Sequence, residues 1–311
     1  MNTNALKRFA KDARIKLIDQ ISRKLDFVLS NNSQSFIDTY AAELFSLQNK
    51  IKEQSKEQVI ELVAYTWFNR FMALRFMDAN GYTIPKVVTP IPGMTNPEIL
   101  QNALAGNIDD DLRIDRQRLN DLLDGKTSAA DAHTQAYKML LVAACNYWHT
   151  AMPFMFERIS DYTELLLPDD LLSDYSIVAD LRNGMSDEDC QQEELIGWLY
   201  QFYIADKKDK VINAKKKYKT EELPEATQLF TPHWMVKYIV QNTLGRMWLE
   251  ARPNSNLKQH MEFYIEPLDK ENIPTRILKS PEEIKFLDPA SGSSHILVYA
   301  FELFTLSLIH I

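Results

Sequence analysis

The chain has 311 residues, of which 45% are hydrophobic and 25% are charged, as is usual in globular proteins. This balance excludes disorder or a fibre as a description of the whole chain. The sequence contains no run of about 18 uninterrupted apolar residues, so no membrane span is predicted. The formal net charge of −8 does not favour non-specific nucleic-acid binding by the whole surface, although it leaves room for a local basic face.

Glycine and cysteine usage narrows the class of protein further. The 8 glycines are few beside 13 tyrosines and 15 phenylalanines, which favours a mostly helical chain over a turn-rich β-sandwich. Cys145 and Cys190 form no CxxC or CxxH pattern, so the sequence predicts neither a disulfide framework nor a metal site. The N-terminal segment is polar and lacks the apolar core of a signal peptide, which predicts a cytoplasmic protein.

Helical periodicity dominates the first part of the chain. Apolar residues recur at steps of three and four over 4–29, and further helices are expected at 35–51 and 57–80. Asn80-Gly81 is a typical helix end, because both residues tolerate the left-handed conformation. The next stretch is rich in proline and is therefore predicted to be irregular.

The middle of the chain is also predicted to be helical. Helices are expected over Asp109 to Gly125, 129–149 and 187–213, and short segments around Pro168 over 160–180. The composition changes at about residue 220, which predicts a helical domain over 1–220 and a second domain over 221–311. A lysine run before this boundary is a candidate for DNA phosphate contacts, with a solvated linker as the alternative: Lys207, Lys208, Lys210, Lys215, Lys216 and Lys217.

The segment QLFTPHWMVKYIV predicts a helix start. Thr231 stands where an N-cap residue belongs, and Pro232 stands at the first helical position, where a missing N–H costs nothing. The free N–H groups and the positive dipole end of such a terminus favour a carboxylate. An ordinary capped helix without a ligand is the alternative.

The segment IKFLDPASGSSHILV predicts a strand, a loop of small residues and a helix. An apolar strand over Ile284 to Leu287 is expected to lead into Asp288, and the helix to begin at about His295. A loop at the carboxyl end of a strand is where open α/β sheets bind nucleotide-like ligands. Neither a GxGxxG fingerprint nor a Walker loop is present, and a tight turn without a ligand is the alternative.

The order of these motifs resembles a known family. DPAxGSxHIL, preceded by ATQLFTP, is similar to the amino-methylating DNA methyltransferases, and in particular to the adenine-specific methyltransferases of BREX phage-defence systems, the PglX family. Upstream segments also resemble that family's helical N-terminal region, among them AYTWFNR, ELLLP and IGWLYQFYI. The resemblance implies a helical N-terminal domain followed by the start, one βα unit, of a Rossmann-like methyltransferase domain.

The resemblance also implies a cofactor, a substrate and site residues. S-adenosylmethionine is the expected cofactor, double-stranded DNA the expected substrate, and other phage-defence proteins the expected partners. The loop that binds the cofactor matches Asp288, Pro289, Ala290 and Gly292, with Ser294 where the family usually has a glycine. The segment that cradles the methionine end of the cofactor matches Phe230, Thr231 and Pro232.

Two departures from the family pattern affect the expected activity. Ser294 adds a side chain and penalises a positive φ by about 1–2 kcal/mol if the loop requires one there. The Asn/Asp-Pro-Pro-Tyr/Phe tetrad that binds the flipped base in the family is absent, so no catalytic residue is predicted. The chain is therefore expected to be an inactive N-terminal fragment of a DNA methyltransferase, with a helical DNA- or partner-binding module without catalysis as the alternative.

Overall fold

A computed structural model describes residues 2–126, 131–157, 162–192, 194–214, 216–227, 229–268, 276–277 and 280–309. These residues are mainly helical, as predicted, and they divide into two compact units. The N-terminal unit is Met1–Tyr203 and the C-terminal unit is Ile204–Ile311. The domain boundary that composition places at about residue 220 stays a prediction.

The N-terminal unit is built from ten α-helices in the described residues. They are α1 (Thr3–Ser30), α2 (Gln34–Thr39), α3 (Ala41–Glu53), α4 (Lys56–Ala79), α5 (Glu98–Leu104), α6 (Arg116–Leu123), α7 (Ala132–Trp148), α8 (Tyr162–Leu165), α9 (Ile177–Gly184) and α10 (Leu195–Tyr203), with a 3₁₀ turn at Asp189–Gln191.

Helices α1 and α4 form the centre of this unit. The buried residues of α1 follow the predicted three-four spacing, and this face packs against α4, α9 and α10. Trp67 of α4 is fully buried, and its indole N–H donates to the carbonyl of Thr163 at 3.0 Å. Where α9 ends, Gly184 lies so close to the Phe9 ring that a Cβ there would come within 2.4 Å of it. The core is therefore closely packed where these helices meet.

A buried carboxylate holds the irregular segment that follows α4. Helix α4 ends before Asn80, and Gly81 has the expected left-handed conformation with φ +70°. Asp78 accepts hydrogen bonds from the Thr83 hydroxyl and from the N–H groups of 87, 88 and 89. Burial raises the pKa of the Asp78 carboxyl, while these hydrogen bonds act in the opposite direction. One side chain thus fixes a stretch that the sequence predicted only as irregular.

The structure corrects several predicted helices of this unit. The helix expected over 35–51 is broken at Tyr40, which has a non-helical backbone, and the helix expected over 187–213 is interrupted at Gln192, which is extended. The helix expected from Asp109 begins only at Arg116, because Asp109 accepts from the N–H of residue 111 in a local turn. Helix α5 was not predicted.

The C-terminal unit contains shorter helices and more irregular chain. They are α11 (Ala205–Asn213), α12 (Leu223–Thr227), α13 (His233–Val240), α14 (Arg246–Ala251) and α15 (His295–Ile309), with a π-helical turn at Gln241–Gly245 and 3₁₀ turns at Thr220–Glu222, Asn256–His260 and Pro281–Glu283. The faces of α13, the π-turn and α14 pack with α15 around one apolar core: Val236, Val240, Leu244, Trp248, Leu257, Met261, Tyr299, Ala300 and Leu303.

The predicted strand is not formed in this unit. Residues 284–288 carry no regular secondary structure, although Ile284 and Phe286 face the core and Leu287 is exposed, the alternation typical of an extended segment. A strand needs a hydrogen-bonded neighbour, and no described segment pairs with this one. The helix expected from His295 is confirmed as α15. Among the described helices, none has the length and apolar character that crossing a bilayer requires.

Candidate functional site

The two motifs of the C-terminal unit meet at the first residue of α15. The Nδ1 atom of His295 lies 3.1 Å from the carbonyl oxygen of Thr231, and since a carbonyl can only accept, the imidazole donates. The ring of Phe230 stacks on the His295 ring, with centroids 5.0 Å apart and planes 4° apart. Both rings are buried. The segment before α13 is therefore held against the start of α15 by a hydrogen bond and a stacked ring.

A second histidine extends this contact. His233, the first residue of α13, places its Nδ1 3.1 Å from Nε2 of His295. One of these two nitrogens donates and the other accepts, so the two rings are hydrogen-bonded to each other. The His233 ring also meets Tyr299, one turn along α15, edge to face at 5.7 Å. The ring contacts and hydrogen bonds therefore join α13 and α15 side by side.

Two polar side chains of the π-turn tie the pair α13 and α15 to a neighbouring segment of the chain. Gln241 is buried; its amide donates to the Tyr299 hydroxyl at 2.7 Å and accepts from the N–H of Phe263 at 2.7 Å. Asn242 donates to the carbonyl of Phe263 at 2.7 Å and accepts from the N–H of Ile265 at 2.8 Å. A π-turn places an extra residue in the helical ladder and so turns both amides toward this segment. The segment 263–265 is thereby tied to the helix pair.

The start of α13 differs from the prediction. The helix begins at His233, and Pro232, with ψ 144°, takes the N-cap position without a side-chain cap. Thr231 is therefore not the N-cap residue, because the extended Pro232 places it outside the helix and its carbonyl bonds His295. Its hydroxyl makes no hydrogen bond to any residue that the structure describes.

The loop before α15 is tightly wound. Gly292 and Ser294 both have left-handed backbones, with φ +54° and +63°. The N–H of Ser294 donates to the carbonyl of Ser291 at 2.7 Å, and the two hydroxyls lie 2.9 Å apart. The position where the family usually has glycine thus adopts the conformation that glycine favours. Ser294, which stands in place of that glycine, is thus bonded to Ser291 through both its N–H and its hydroxyl.

Asp288 begins this loop and has one unsatisfied oxygen. Its Oδ1 accepts from the N–H of Ala290 at 3.0 Å, whereas Oδ2 is buried and has no hydrogen-bond partner among the described residues. A buried carboxylate oxygen without a donor is costly, and a ligand N–H or ammonium group would satisfy it. Pro289 and Ala290 are exposed beside it.

The lysines proposed for DNA contact are spread over α11 and the chain that follows it. Lys207 and Lys210 are exposed on α11, where Lys208 is half-buried, and acidic residues alternate with them. Lys216 pairs with Glu222 at 3.1 Å, and Lys217 is exposed. Lys215 lies outside the described residues.

Sequence reasoning missed three side chains of this site: His233, Gln241 and Tyr299. Two of them carried a signal, because His233 directly follows the Phe-Thr-Pro segment and Tyr299 lies one helical turn after His295 on the same face. Gln241 had no such signal, since its position depends on the π-turn.

Comparison with known proteins identifies relatives of the chain. Adenine-specific methyltransferase BrxX of Escherichia coli O9:H4 (strain HS) is 35% identical over 97% of the chain. Adenine-specific methyltransferase PglX of Lacticaseibacillus casei (strain Zhang) is 33% identical over the same share. The chain spans 27% of the first relative's length and 29% of the second's. No family model matches the chain. The resemblance that the motifs indicated is confirmed: over nearly its whole length, the chain is related to adenine-specific methyltransferases named BrxX and PglX.

Proposed function

We propose that the chain is the N-terminal part of an adenine-N6 DNA methyltransferase that acts in phage defence in the cytoplasm and uses S-adenosylmethionine as methyl donor. The observation that carries this proposal is the hydrogen bond from His295 to the carbonyl of Thr231, which joins the two motifs expected to form one cofactor pocket. The similarity to named adenine-specific methyltransferases supports the reaction class.

The residues at this site fit the methionine end of S-adenosylmethionine. The buried Oδ2 of Asp288 is suited to accept a hydrogen bond from the ammonium group. The hydroxyl of Thr231, which bonds no residue that the structure describes, and the positive dipole end of α13 are suited to the carboxylate. The small residues of the loop, with Gly292 exposed, leave its backbone open to close approach.

The bound cofactor supplies the electrophilic methyl group, and the residues of this chain hold and orient the donor. The sequence contains no Asn/Asp-Pro-Pro-Tyr/Phe tetrad to position the amino group of adenine. We therefore infer that the 311 residues alone transfer no methyl group to DNA. The extended residues 284–287 would serve as a strand of a Rossmann-like sheet when neighbouring strands pair with them.

A second candidate function is supported by the separate compactness of the N-terminal unit, which forms its own helical core. In this alternative, the chain is a DNA- or partner-binding module without catalysis. For DNA, the phosphate contacts would come from the lysines on and after α11, which belong to the C-terminal unit, and binding would weaken steeply as salt rises. A gel-shift titration with double-stranded DNA tests this version, and no retardation at low salt would exclude it.

The proposed cofactor site is tested by calorimetric titration of S-adenosylmethionine into the 311-residue chain. Asp288→Asn removes the negative charge from the buried oxygen and is expected to weaken binding by about tenfold or more, because a hydrogen bond to a charged group contributes about 1.5–3 kcal/mol. Asp209→Asn, on the exposed side of α11, is the matched control and is expected to leave binding unchanged. Equal affinities for the two variants, or no binding at millimolar cofactor, would contradict the proposal.

A further inference from the structure

A cleft of about 280 Å³ opens in the N-terminal unit and is lined by charged and aromatic side chains. It lies among α1, α2, α6, α7 and the chain that follows α8. Its volume is at the lower end of small-molecule sites, so its size suits a compact ligand. None of its lining residues belongs to the proposed cofactor site.

The cleft lining includes two lysine ammonium groups that meet at one carboxylate. Lys24 and Lys138 both donate to the same oxygen of Asp169, at 2.6 and 2.9 Å. The two lysine side chains are only 19% and 22% exposed, whereas the aspartate side chain is 68% exposed. The ammonium groups are thus fixed by the protein, and the carboxylate that joins them lies at the surface.

The positive charge of the cleft lining is only partly balanced by carboxylates. Burial lowers the pKa of Lys138, the result of removing an ammonium group from water. Burial acts to raise the pKa of the Asp169 carboxyl, but the hydrogen bonds from the two lysines hold this pKa below its usual range. The guanidinium of Arg118, also at the cleft, makes no ion pair with any residue that the structure describes. Glu164 contributes a second carboxylate, so the lining carries three cations against two anions.

The cleft lining also includes two aromatic side chains. Phe36 and Tyr40 lie next to each other with ring centroids 5.0 Å apart, and both are half-buried. The exposed amide of Gln135 lies on the same lining and offers both a donor and an acceptor. The two ring planes are tilted by 51°, so a flat base can stack on one of them, and stacking tolerates different bases because each has a π-face.

We propose that this cleft binds a nucleoside monophosphate, with its phosphate between Lys24, Lys138 and Arg118 and its base against Phe36 and Tyr40. The exposed side chain of Asp169 turns away to admit the phosphate. A phosphate monoester carries about two negative charges at neutral pH, so it balances two ammonium groups better than one carboxylate does. A free nucleotide and a 5′-phosphorylated end of a DNA strand both carry such a phosphate monoester next to a base.

The first test is calorimetric titration of adenosine 5′-monophosphate, adenosine and inorganic phosphate into the 311-residue chain. We expect the monophosphate to bind at least about tenfold more tightly than either part, because only it offers both a phosphate to the cations and a base to the aromatic rings. A second arm compares 5′-phosphorylated and 5′-hydroxyl single-stranded oligonucleotides by fluorescence anisotropy. A preference for the phosphorylated end identifies DNA as the source, and binding of the free nucleotide without such a preference identifies the nucleotide. Absence of saturable binding in both arms overturns the proposal.

Variants distinguish binding in the cleft from non-specific attraction to surface charge. Lys138→Met and the exposed Arg118→Ala are each expected to weaken nucleotide binding by about tenfold, and Asp169→Asn to strengthen it several-fold by removing the competing charge. The matched control is Lys52→Met, an exposed lysine of α3 outside the cleft lining, and it is expected to have no effect. Unfolding in urea checks that each variant remains folded. If Arg118→Ala binds as tightly as Lys52→Met and Asp169→Asn binds no more tightly than the unchanged chain, the cleft is not the site.

Discussion

Two aspartates, one in each unit, stand beside irregular segments and have very different hydrogen-bond partners. Both oxygens of Asp78 are satisfied, each by two donors from the segment 83–89. Asp288 has one oxygen bonded to the N–H of Ala290 and one buried oxygen without a partner among the described residues. The carboxylate of Asp78 completes a local structure, whereas Asp288 leaves one buried oxygen for a ligand to satisfy.

This difference separates a structural role from a binding role. A buried polar group that is fully paired within the chain stabilises the fold and offers nothing to a ligand. A buried group that is half paired costs stability unless a ligand completes it, and such groups mark functional sites. The comparison therefore predicts opposite responses of stability and ligand binding at the two positions.

The largest effect is expected from the same substitution made at both aspartates. Asp78→Asn leaves one acceptor oxygen and turns an NH₂ group toward at least one backbone N–H donor, so we expect a loss of about 3 kcal/mol or more in the free energy of unfolding. Asp288→Asn keeps the oxygen that bonds Ala290 and is expected to change stability by less than about 1 kcal/mol. Urea unfolding followed by circular dichroism measures both. Equal losses at the two positions would show that Asp288 is also structural.

A smaller effect is expected at two glycines that are needed for different reasons. In Gly184→Ala, the new Cβ would lie 2.4 Å from the Phe9 ring, and overpacking of this kind costs about 1–3 kcal/mol. At Gly292, the nearest atom to a new Cβ would be the Ala290 carbonyl oxygen at 3.8 Å, so only the left-handed backbone opposes alanine, by about 1 kcal/mol. Thermal unfolding of both variants gives the order. A larger loss for Gly292→Ala would mean that the loop is more tightly packed than its geometry indicates.

The smallest effect concerns Ser294, whose φ of +63° is strained for a residue with a side chain. Ser294→Ala keeps the strain and loses the hydroxyl contact with Ser291, so it is expected to be less stable than the unchanged chain by about 1 kcal/mol. Ser294→Gly loses the same contact but relieves the strain, so it is expected to unfold at nearly the original urea concentration. If alanine proved more stable than glycine at this position, the left-handed backbone would not be the source of strain.

Long amphipathic helices were predictable because their periodicity extends over many turns. The ranges 4–29 and 57–80 match α1 and α4 within one residue at each end. The breaks at Tyr40 and Gln192 were not predicted, since neither coincides with a glycine or proline. Helix α5 was missed although Pro97 and Gly106 flank it, because its seven residues are too few to show a clear helical period. Short elements depend on contacts that the local sequence does not show.

The candidate site was partly predictable for a different reason. The Phe-Thr-Pro segment and the loop after Asp288 were identified as motifs, and the structure places Phe230 and Thr231 against the start of α15. The wrong N-cap at Thr231 and the missing strand at 284–287 share one cause: each local pattern was outweighed by tertiary context. The carbonyl of Thr231 bonds His295, and the apolar run has no neighbouring strand among the described residues.

Hydrogen–deuterium exchange with and without S-adenosylmethionine, followed by mass spectrometry, tests most directly whether the two motifs form one pocket for the methyl donor. Peptides that cover 229–236 and 288–298 report on the two sides of the proposed site, and a peptide from α1 serves as the internal control. The account predicts that the cofactor slows exchange in both peptides together, at the same cofactor concentration, and leaves α1 unchanged. Protection of only one of the two segments, or of neither at millimolar cofactor, would contradict it.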